Sequence, residues 1–193
     1  MGVVVGTAVH NTTIFSGNLK YVVLAPYWNV PYSIVKNEMG RTAGYFSSRN
    51  MEIVGRYSDG LPIVRQKPGK NNALGKVKFL FPNSYNIYLH DTPSKSLFGQ
   101  TDRAFSHGCI RLSDPTRLAY YFLDGYKGWN KAKIDETMSG TKETSVAIDT
   151  EVPVLIAYLT AFVDPQTGSM NFRKDVYGHD KKMASRMFGG SSN

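Results

Sequence analysis

Residues 104–112 read Ala-Phe-Ser-His-Gly-Cys-Ile-Arg-Leu and contain the only cysteine of the chain, Cys109. Ser106 and Gly108 favour a turn, and Ile110–Leu112 is predicted to be a short strand after it. A lone cysteine is most often a small buried hydrophobic residue. Here the flanking Ser, His, Gly and Arg are poor core residues, so the stretch is predicted to be a functional turn between strands.

A second histidine, His90, follows the apolar run Tyr85–Leu89. The alternation and the aromatic residues of this run predict a strand that ends at His90. Lys76–Phe81 predicts another strand, and Pro82-Asn83-Ser84 between the two is rich in turn formers. We therefore expect an antiparallel hairpin that delivers His90 to the end of a strand.

Outside these stretches the chain contains many short strands and few helices. The predicted strands are Val3–Val9, Leu19–Leu24, Met51–Tyr57, Leu61–Gln66, Ser145–Ile148, Val152–Phe162 and Met170–Arg173. The predicted helices are Tyr32–Met39, a helix from Asp114 through Phe122, Asn130–Met138 and Gly178–Met187. This pattern predicts a mainly β fold, a sandwich or barrel with a few helices.

Three local predictions can be tested directly by the structure. Pro31 is expected in the first turn of the helix that Gly40 ends. Asp114 is expected to cap its helix, with Pro115 at the first position and Leu118, Tyr121 and Phe122 facing the core. The unbroken apolar run Val152–Phe162 is expected to be a fully buried strand.

With 193 residues the chain is expected to form one domain, residues 1–188. Residues 32–50 are predicted to be a helical insertion, either a packing element or a lid over the active site. Residues 189–193, Gly-Gly-Ser-Ser-Asn, are expected to be a flexible tail. No apolar run approaches the ~20 residues needed to cross a bilayer. Because no signal peptide precedes the first strand, we expect a catalytic domain separated from any targeting segment.

The formal net charge of +8 allows two interpretations. Scattered lysines and arginines are typical of a solvated basic surface. The same charge also favours an anionic partner, such as nucleic acid, an anionic membrane surface or a cell-wall polymer. The sequence contains no P-loop, no GxGxxG element and no nucleic-acid-binding signature.

The chemistry of the 104–112 stretch depends on a base. A thiol with an unperturbed pKa of ~8.5 is mostly protonated at neutral pH, so a nucleophilic Cys109 needs an imidazole partner. We prefer His90 as the base, because it ends a separate strand, and expect His107 to shape the site or donate a hydrogen bond. Gly108 allows close approach of the backbone, and its N–H with that of Cys109 is a candidate oxyanion hole.

Two arginines and an alternative metal site complete the candidates. Arg111 and Arg103 suit bidentate binding of a substrate carboxylate, and a structural salt bridge is the alternative for each. Since His90, His107 and Cys109 are all zinc ligands by type, a zinc site is the competing interpretation. Its fourth ligand would come from the remaining candidates, His10, His179 or Asp91.

The combination of His90 with Ser106-His107-Gly108-Cys109-Ile110-Arg111 closely resembles the active-site signature of the L,D-transpeptidases, the YkuD-type family of bacterial cell-wall enzymes. Further matches support it over about residues 3–162. They are Tyr21-Val22-Val23-Leu24, Tyr27-Trp28-Asn29-Val30-Pro31, Pro68-Gly69, Asn72-Ala73-Leu74-Gly75 and Phe105. Trp-Asn-Val-Pro followed by an insertion resembles the larger periplasmic Gram-negative branch, in which a helical capping subdomain covers the catalytic groove.

The resemblance implies a YkuD-like fold and a cysteine acyltransferase of peptidoglycan. Cys109 would attack the diaminopimelate carbonyl of a tetrapeptide stem, release D-alanine and form a thioester. The amine of a second stem would then make a 3→3 cross-link, whereas attack by water would make the enzyme an L,D-carboxypeptidase. The non-catalytic alternative is a wall-binding module with a structural cysteine.

The resemblance also assigns residues, partners and location. His90 is implied as the acid/base, oriented by the backbone carbonyl of Asp91, with oxyanion donors around His107-Gly108-Cys109. The candidate substrate-binding residues are Arg111, Arg103, Ser106, Tyr88 and Trp28. Carbapenem β-lactams are implied to acylate Cys109, and no metal or cofactor is implied. Some relatives carry Asn at the position of Arg111. The implied location is the periplasm.

Overall fold

A computed structural model describes residues 1–40 and 42–189. Most of the predicted tail, residues 190–193, lies outside the described residues, as does residue 41 of the predicted insertion. The strands are β1 Val3–Gly6, β2 Phe15–Leu24, β3 Trp28–Asn29, β4 Met51–Arg56, β5 Pro62–Gln66, β6 Val77–Leu80, β7 Leu89–His90, β8 Ala104–Ser106, β9 Ile110–Leu112, β10 Thr144–Ile156, β11 Ala161–Val163 and β12 Met170–Phe172. The helices are α1 Tyr32–Glu38, α2 Ala43–Ser47, a 3-10 helix Lys95–Gly99, α3 Pro115–Leu123, α4 Lys131–Met138 and α5 His179–Phe188.

A seven-stranded sheet in the order β10-β2-β6-β7-β9-β1-β8 organises the fold. Most neighbours are antiparallel, and the parallel pairs are β7 with β9 and β1 with β8. α3 and α4 share one hydrophobic core with the sheet, through side chains such as Leu24, Phe79, Ile110, Leu123 and Ile134. The chain is mainly β with few helices, which confirms the predicted fold class.

The start of α3 is confirmed, but one of its predicted core residues is wrong. The Asp114 carboxylate accepts the N–H of Arg117 at 3.2 Å, with Pro115 at the first helical position. The buried positions are Pro115, Ala119 and Leu123, whereas Tyr121 is 80% exposed. Leu118 and Phe122 flank the buried line and pack against it. Tyr121 follows Ala119 by about 200° around the helix, so it faces solvent.

The prediction of a fully buried strand at Val152–Phe162 is also wrong. β10 ends at Ile156, and Leu155 is 73% exposed. β10 is an edge strand of the large sheet, so its side chains alternate between the core and solvent. An edge position also accommodates Pro153, which lacks a backbone N–H.

The hairpin before the cysteine is confirmed, although its second strand is shorter than predicted. β6 and β7 are antiparallel, and Lys78 pairs with His90. Residues 83–88 form no strand and include a turn at Ser84-Tyr85, because the Asn83 side chain accepts the N–H groups of Tyr85 at 3.0 Å and Ile87 at 3.2 Å. His90 nevertheless reaches the end of the sheet as expected.

The predicted insertion belongs to a larger unit with its own core, here called the cap. α1 and α2 pack against a three-stranded sheet in the order β3-β5-β4. Pro31 lies at the N-cap of α1, one position before the first turn where it was predicted, and α1 ends at Glu38 with Met39 at its C-cap. The core of the cap contains Val30, Ile34, Val35, Phe46, Met51 and Val64. None of the helices that the structure describes is long and apolar enough to cross a bilayer.

Candidate active site

A cavity of about 710 Å³ lies between the cap and the large sheet. This volume is within the range of small-molecule sites. Most of the predicted site residues line it, namely Trp28, Tyr88, His90, Ser106, His107, Cys109 and Arg111. Pro31, Ile34 and Glu38 line it from the cap. The predicted turn and strand end therefore open into one cleft.

Sheet pairing brings His90 and Cys109 together across 19 positions of sequence. β7 and β9 are parallel neighbours, with Leu89 opposite Ile110. The Ile110 N–H donates to the Tyr88 carbonyl at 3.1 Å. Cys109 directly precedes β9, and its side chain lines the same cleft as His90 at the end of β7.

Cys109 is a half-buried thiol. Its S–H donates to the Asn86 carbonyl, with 3.6 Å between Sγ and O. Burial raises the pKa of Cys109, while hydrogen bonds from the backbone and hydroxyl of Tyr88 and the charge of Arg111 act in the opposite direction. The thiol is therefore protonated at rest and needs a base to react.

His90 is a buried, neutral imidazole with a defined orientation. Its side chain is only 4% exposed, and its Nδ1–H donates to the backbone carbonyl of Asp91. That hydrogen bond assigns the tautomer and leaves Nε2 as the unprotonated nitrogen. Burial, assisted by the charge of Arg111, lowers the pKa of His90 to about 4, against the effect of the Asp91 carbonyl. His90 can accept a proton at neutral pH.

The backbone carbonyl that orients His90 belongs to Asp91, and the side chain of Asp91 is itself fixed by hydrogen bonds. The Asp91 carboxylate accepts from the Lys76 N–H at 2.9 Å and from the Lys95 ammonium at 2.6 Å. Gly75 packs against it with φ of +60°, and a Cβ at this position would lie 2.3 Å from the carboxylate carbon. Neither Gly75 nor Lys95 was predicted as a site residue. The Asn-Ala-Leu-Gly motif of the sequence was the available signal for Gly75.

The turn at Ser106–Cys109 is closed by Ser106, which is buried. Its hydroxyl donates to the Cys109 carbonyl at 2.5 Å and accepts the Gly108 N–H at 3.2 Å. The Ser106 hydroxyl and the Gly108 N–H thus each have a partner within the turn. Their roles as a substrate ligand and an oxyanion donor stay predictions. The Cys109 N–H has no acceptor among residues 1–40 and 42–189, so it can serve as a donor.

A second connection to this turn was not predicted from the sequence. The Thr12 hydroxyl donates to the Gly108 carbonyl at 2.8 Å and accepts the Gly6 N–H at 2.9 Å. The Tyr177 hydroxyl donates to the Gly6 carbonyl at 2.8 Å. Gly108 has φ of +110°, which favours glycine. A threonine far from the motif carries no local signal for this contact.

The His107 side chain is directed to the cap. Its Nε2 lies 2.8 Å from Oε1 of Glu38, the last residue of α1. Its ring lies 4.9 Å from the ring of His10. That His107 shapes the site stays a prediction. Glu38 was not predicted, because nothing in the sequence of α1 distinguishes it from a solvated acidic residue.

The two predicted arginines differ in position. Arg111 lines the cleft, and its Nε is buried with no hydrogen-bond partner among the described residues. Burial lowers the pKa of Arg111, opposed by Cys109. Arg103 is exposed, and its guanidinium lies 3.5 Å from the Phe98 carbonyl, outside the cavity lining. Arg103 does not line this cleft, and its role as a substrate ligand stays a prediction.

Metal-ligating residues do not converge in the part of the chain that the structure describes. No three His, Cys, Asp or Glu side chains there lie close enough to hold one ion. His107 is directed to Glu38, and His90 Nδ1 is bound to a backbone carbonyl. The arrangement instead suits a thiol, a neutral imidazole and a backbone N–H acting on a carbonyl group.

Comparison with known proteins gives a family for this chain. The model of the family described as YkuD, L,D-transpeptidase catalytic domain, matches residues 1–156. A Haemophilus influenzae protein named "Putative L,D-transpeptidase" is 32% identical over 200 aligned residues, which cover 94% of this chain. The chain spans about 40% of the length of that relative. β11, β12 and α5 lie beyond the residues that the family model matches.

Proposed function

The chain belongs to the YkuD family of L,D-transpeptidase catalytic domains, and we propose that it cross-links peptidoglycan stems through a thioester on Cys109. The donor is a tetrapeptide stem, and the bond attacked joins diaminopimelate to the terminal D-alanine. The observation that carries the proposal is the half-buried Cys109 thiol in one cleft with the oriented, neutral His90.

In the first half-reaction, the Cys109 proton moves to Nε2 of His90 as the sulfur attacks the diaminopimelate carbonyl. The Cys109 N–H is available to stabilise the oxyanion that forms. Collapse of this intermediate breaks the bond to D-alanine, and His90 returns its proton to the leaving amine. The thioester remains on Cys109.

The lowered pKa of His90, about 4, makes the imidazole a weak base. A base this weak does not hold a stable ion pair with a thiol whose own pKa is raised. Proton transfer therefore accompanies the attack instead of preceding it. The imidazolium formed beside Arg111 is also a strong acid, which favours donation to the departing D-alanine amine.

Substrate binding is proposed to use Arg111 and the aromatic walls of the cleft. A buried guanidinium nitrogen without a partner among the described residues is suited to a carboxylate, and each stem residue next to the scissile bond carries one. Trp28 and Tyr88 line the same cleft and provide apolar contact for the stem. The net charge of +8 is consistent with an anionic wall polymer as the partner. The proposed location is the periplasm, because the Trp-Asn-Val-Pro element resembles the periplasmic Gram-negative branch of the family.

Covalent trapping tests the first half-reaction. A carbapenem incubated with the protein should add its own mass to a peptide that contains Cys109, and Cys109→Ala should remain unmodified. If the folded protein forms no adduct, the nucleophile assignment is wrong, and a wall-binding module without catalysis becomes the better interpretation.

Product analysis tests the second half-reaction. Incubation with tetrapeptide stems should release D-alanine and give a cross-linked dimer, which mass spectrometry identifies by its mass. If free tripeptide is the sole product, the enzyme is an L,D-carboxypeptidase, because water has captured the thioester.

A further inference from the structure

The walls of the cleft carry charges of opposite sign. The large sheet contributes the cations Lys78 and Arg111. Lys78 is neutralised by Glu143, with 3.3 Å between Nζ and Oε2. Glu38 of the cap is the single carboxylate among the described residues that line the cavity. The cap therefore brings the negative charge to a cleft that otherwise suits anions.

The position of Glu38 does not serve the stability of α1. Glu38 is the last residue of the helix, where the helix dipole disfavours a negative charge. Its side chain is 47% exposed and forms no ion pair with a lysine or arginine in the part of the chain that the structure describes. Its contact is with His107, two residues before Cys109.

One carboxylate oxygen of Glu38 remains available for a ligand. Oε1 accepts from Nε2 of His107, whose ring packs beside that of His10. Oε2 has no partner in residues 1–40 and 42–189. His107 thus holds the carboxylate at the cleft through Oε1 and leaves Oε2 able to accept a hydrogen bond from a ligand.

We propose that Glu38, positioned by His107, binds the amine of the acceptor stem in its ammonium form. This inference rests on the proposed function, because only transpeptidation has a cationic second substrate. The aliphatic amine of an acceptor stem arrives mostly protonated at neutral pH. A carboxylate accepts from an ammonium group in a charge-assisted hydrogen bond, which is stronger than a bond between neutral groups. Water, the competing nucleophile, carries no charge and is bound by this carboxylate more weakly than an ammonium group.

The proton balance gives the pair a second role. The bound ammonium releases one proton through the Glu38–His107 pair to solvent, and the nitrogen lone pair becomes free to attack the thioester. The carbon–nitrogen bond forms, the carbon–sulfur bond breaks, and Cys109 leaves as a thiolate. The second proton of the nitrogen passes through His90 to that thiolate, which restores the starting thiol.

The test separates acylation from acceptor binding. In Glu38→Gln, which removes the charge and preserves the shape, acyl-enzyme formation measured by mass should stay within about twofold of the wild type. The acceptor concentration that half-saturates cross-linking should rise about tenfold, the usual effect of losing one charged hydrogen bond. The ratio of cross-linked dimer to free tripeptide should fall by a similar factor.

Two further variants provide the controls. Glu136→Gln removes the same charge from the exposed side of α4 and should leave both measurements unchanged. Glu38→Asp keeps the charge and should recover part of the acceptor saturation, which a merely structural role would not predict.

The possible outcomes distinguish the two proposals. An unchanged acceptor saturation in Glu38→Gln, with normal acylation, overturns the role of Glu38 and leaves the proposed function intact. An equal loss of acylation and cross-linking also overturns it, because Glu38 would then support the whole site. If the wild-type protein forms no acyl-enzyme, the proposed function itself fails.

Discussion

His90 and His107 both line the cleft of Cys109, but they differ in burial and in the groups that they contact. His90 is enclosed at a strand end, bound to a backbone carbonyl, and its pKa is lowered to about 4. The side chain of His107 is 42% exposed, and its contacts are with the side chains of Glu38 and His10. A rigid acceptor gives His90 one tautomer and one orientation, which a base requires. The partners of His107 are side chains, and one of them, Glu38, is the residue that we propose to bind the acceptor amine.

The comparison is tested most strongly by exchanging each histidine for glutamine. His90→Gln should slow acylation of Cys109 by roughly 10²–10⁴-fold, the usual contribution of a general base. His107→Gln should change the same rate by less than about threefold, because that rate does not depend on the cap contact. Carbapenem acylation followed by mass spectrometry measures both. Equal losses in the two variants would contradict the division of roles.

The backbone support of His90 can be disturbed without touching the histidine. Gly75→Ala places a methyl group against the Asp91 carboxylate at a residue with φ of +60°. Overpacking and left-handed strain together should lower the free energy of unfolding by about 2–4 kcal/mol. Urea denaturation measures the change, and a displaced Asp91 carbonyl should also slow acylation.

Gly60→Ala is the matched control for this variant. Gly60 has φ of +84°, and a methyl group added to it would have no atom within 4 Å, so only the backbone strain of about 1 kcal/mol applies. If the two variants are equally destabilised, the close approach of Gly75 to Asp91 does not explain the requirement for glycine.

The burial of His90 predicts a pH dependence of stability. The pKa of His90 is about 4 in the folded protein and ~6.5 when unfolded, so the unfolded state binds more protons between these values. The free energy of unfolding should therefore fall as the pH drops from 6.5 to 4, by about 3 kcal/mol from this group. Urea midpoints at pH 4.5 and 7.5 measure it. His90→Gln should remove this component, and a full dependence in that variant would assign it to other groups.

The support of the turn is expected to have the smallest effect. Thr12→Val leaves the Gly108 carbonyl and the Gly6 N–H without their shared partner, which should cost about 2 kcal/mol. Thr12→Ser keeps the hydroxyl and should retain most of the stability. Acylation should also fall severalfold in Thr12→Val, because displacement of the turn would displace the Cys109 N–H that we propose as the oxyanion donor. A loss in Thr12→Ser as large as in Thr12→Val would indicate that packing, not hydrogen bonding, is responsible.

Local patterns predicted the elements around the site well. Short-range signals of turn formers and periodicity predicted the hairpin of β6 and β7, the N-cap residue Asp114 of α3 and the strand after Cys109. The errors at Tyr121 and Val152–Phe162 have a common cause. Hydrophobicity alone does not say which faces of an element have neighbours, and this depends on the position of α3 and β10 in the assembled fold.

The sequence by itself determined the reactive groups, since a single cysteine and its flanking motif left few candidates for the thiol chemistry. Only the tertiary structure decided how those groups are used. Pairing of β7 with β9 sets His90 opposite Arg111 and in one cleft with Cys109, and enclosure there keeps the imidazole neutral. The approach of α1 brings Glu38 to His107. Burial and pairing across distant segments change pKa values and hydrogen-bond partners, and these long-range effects leave no local pattern in the sequence.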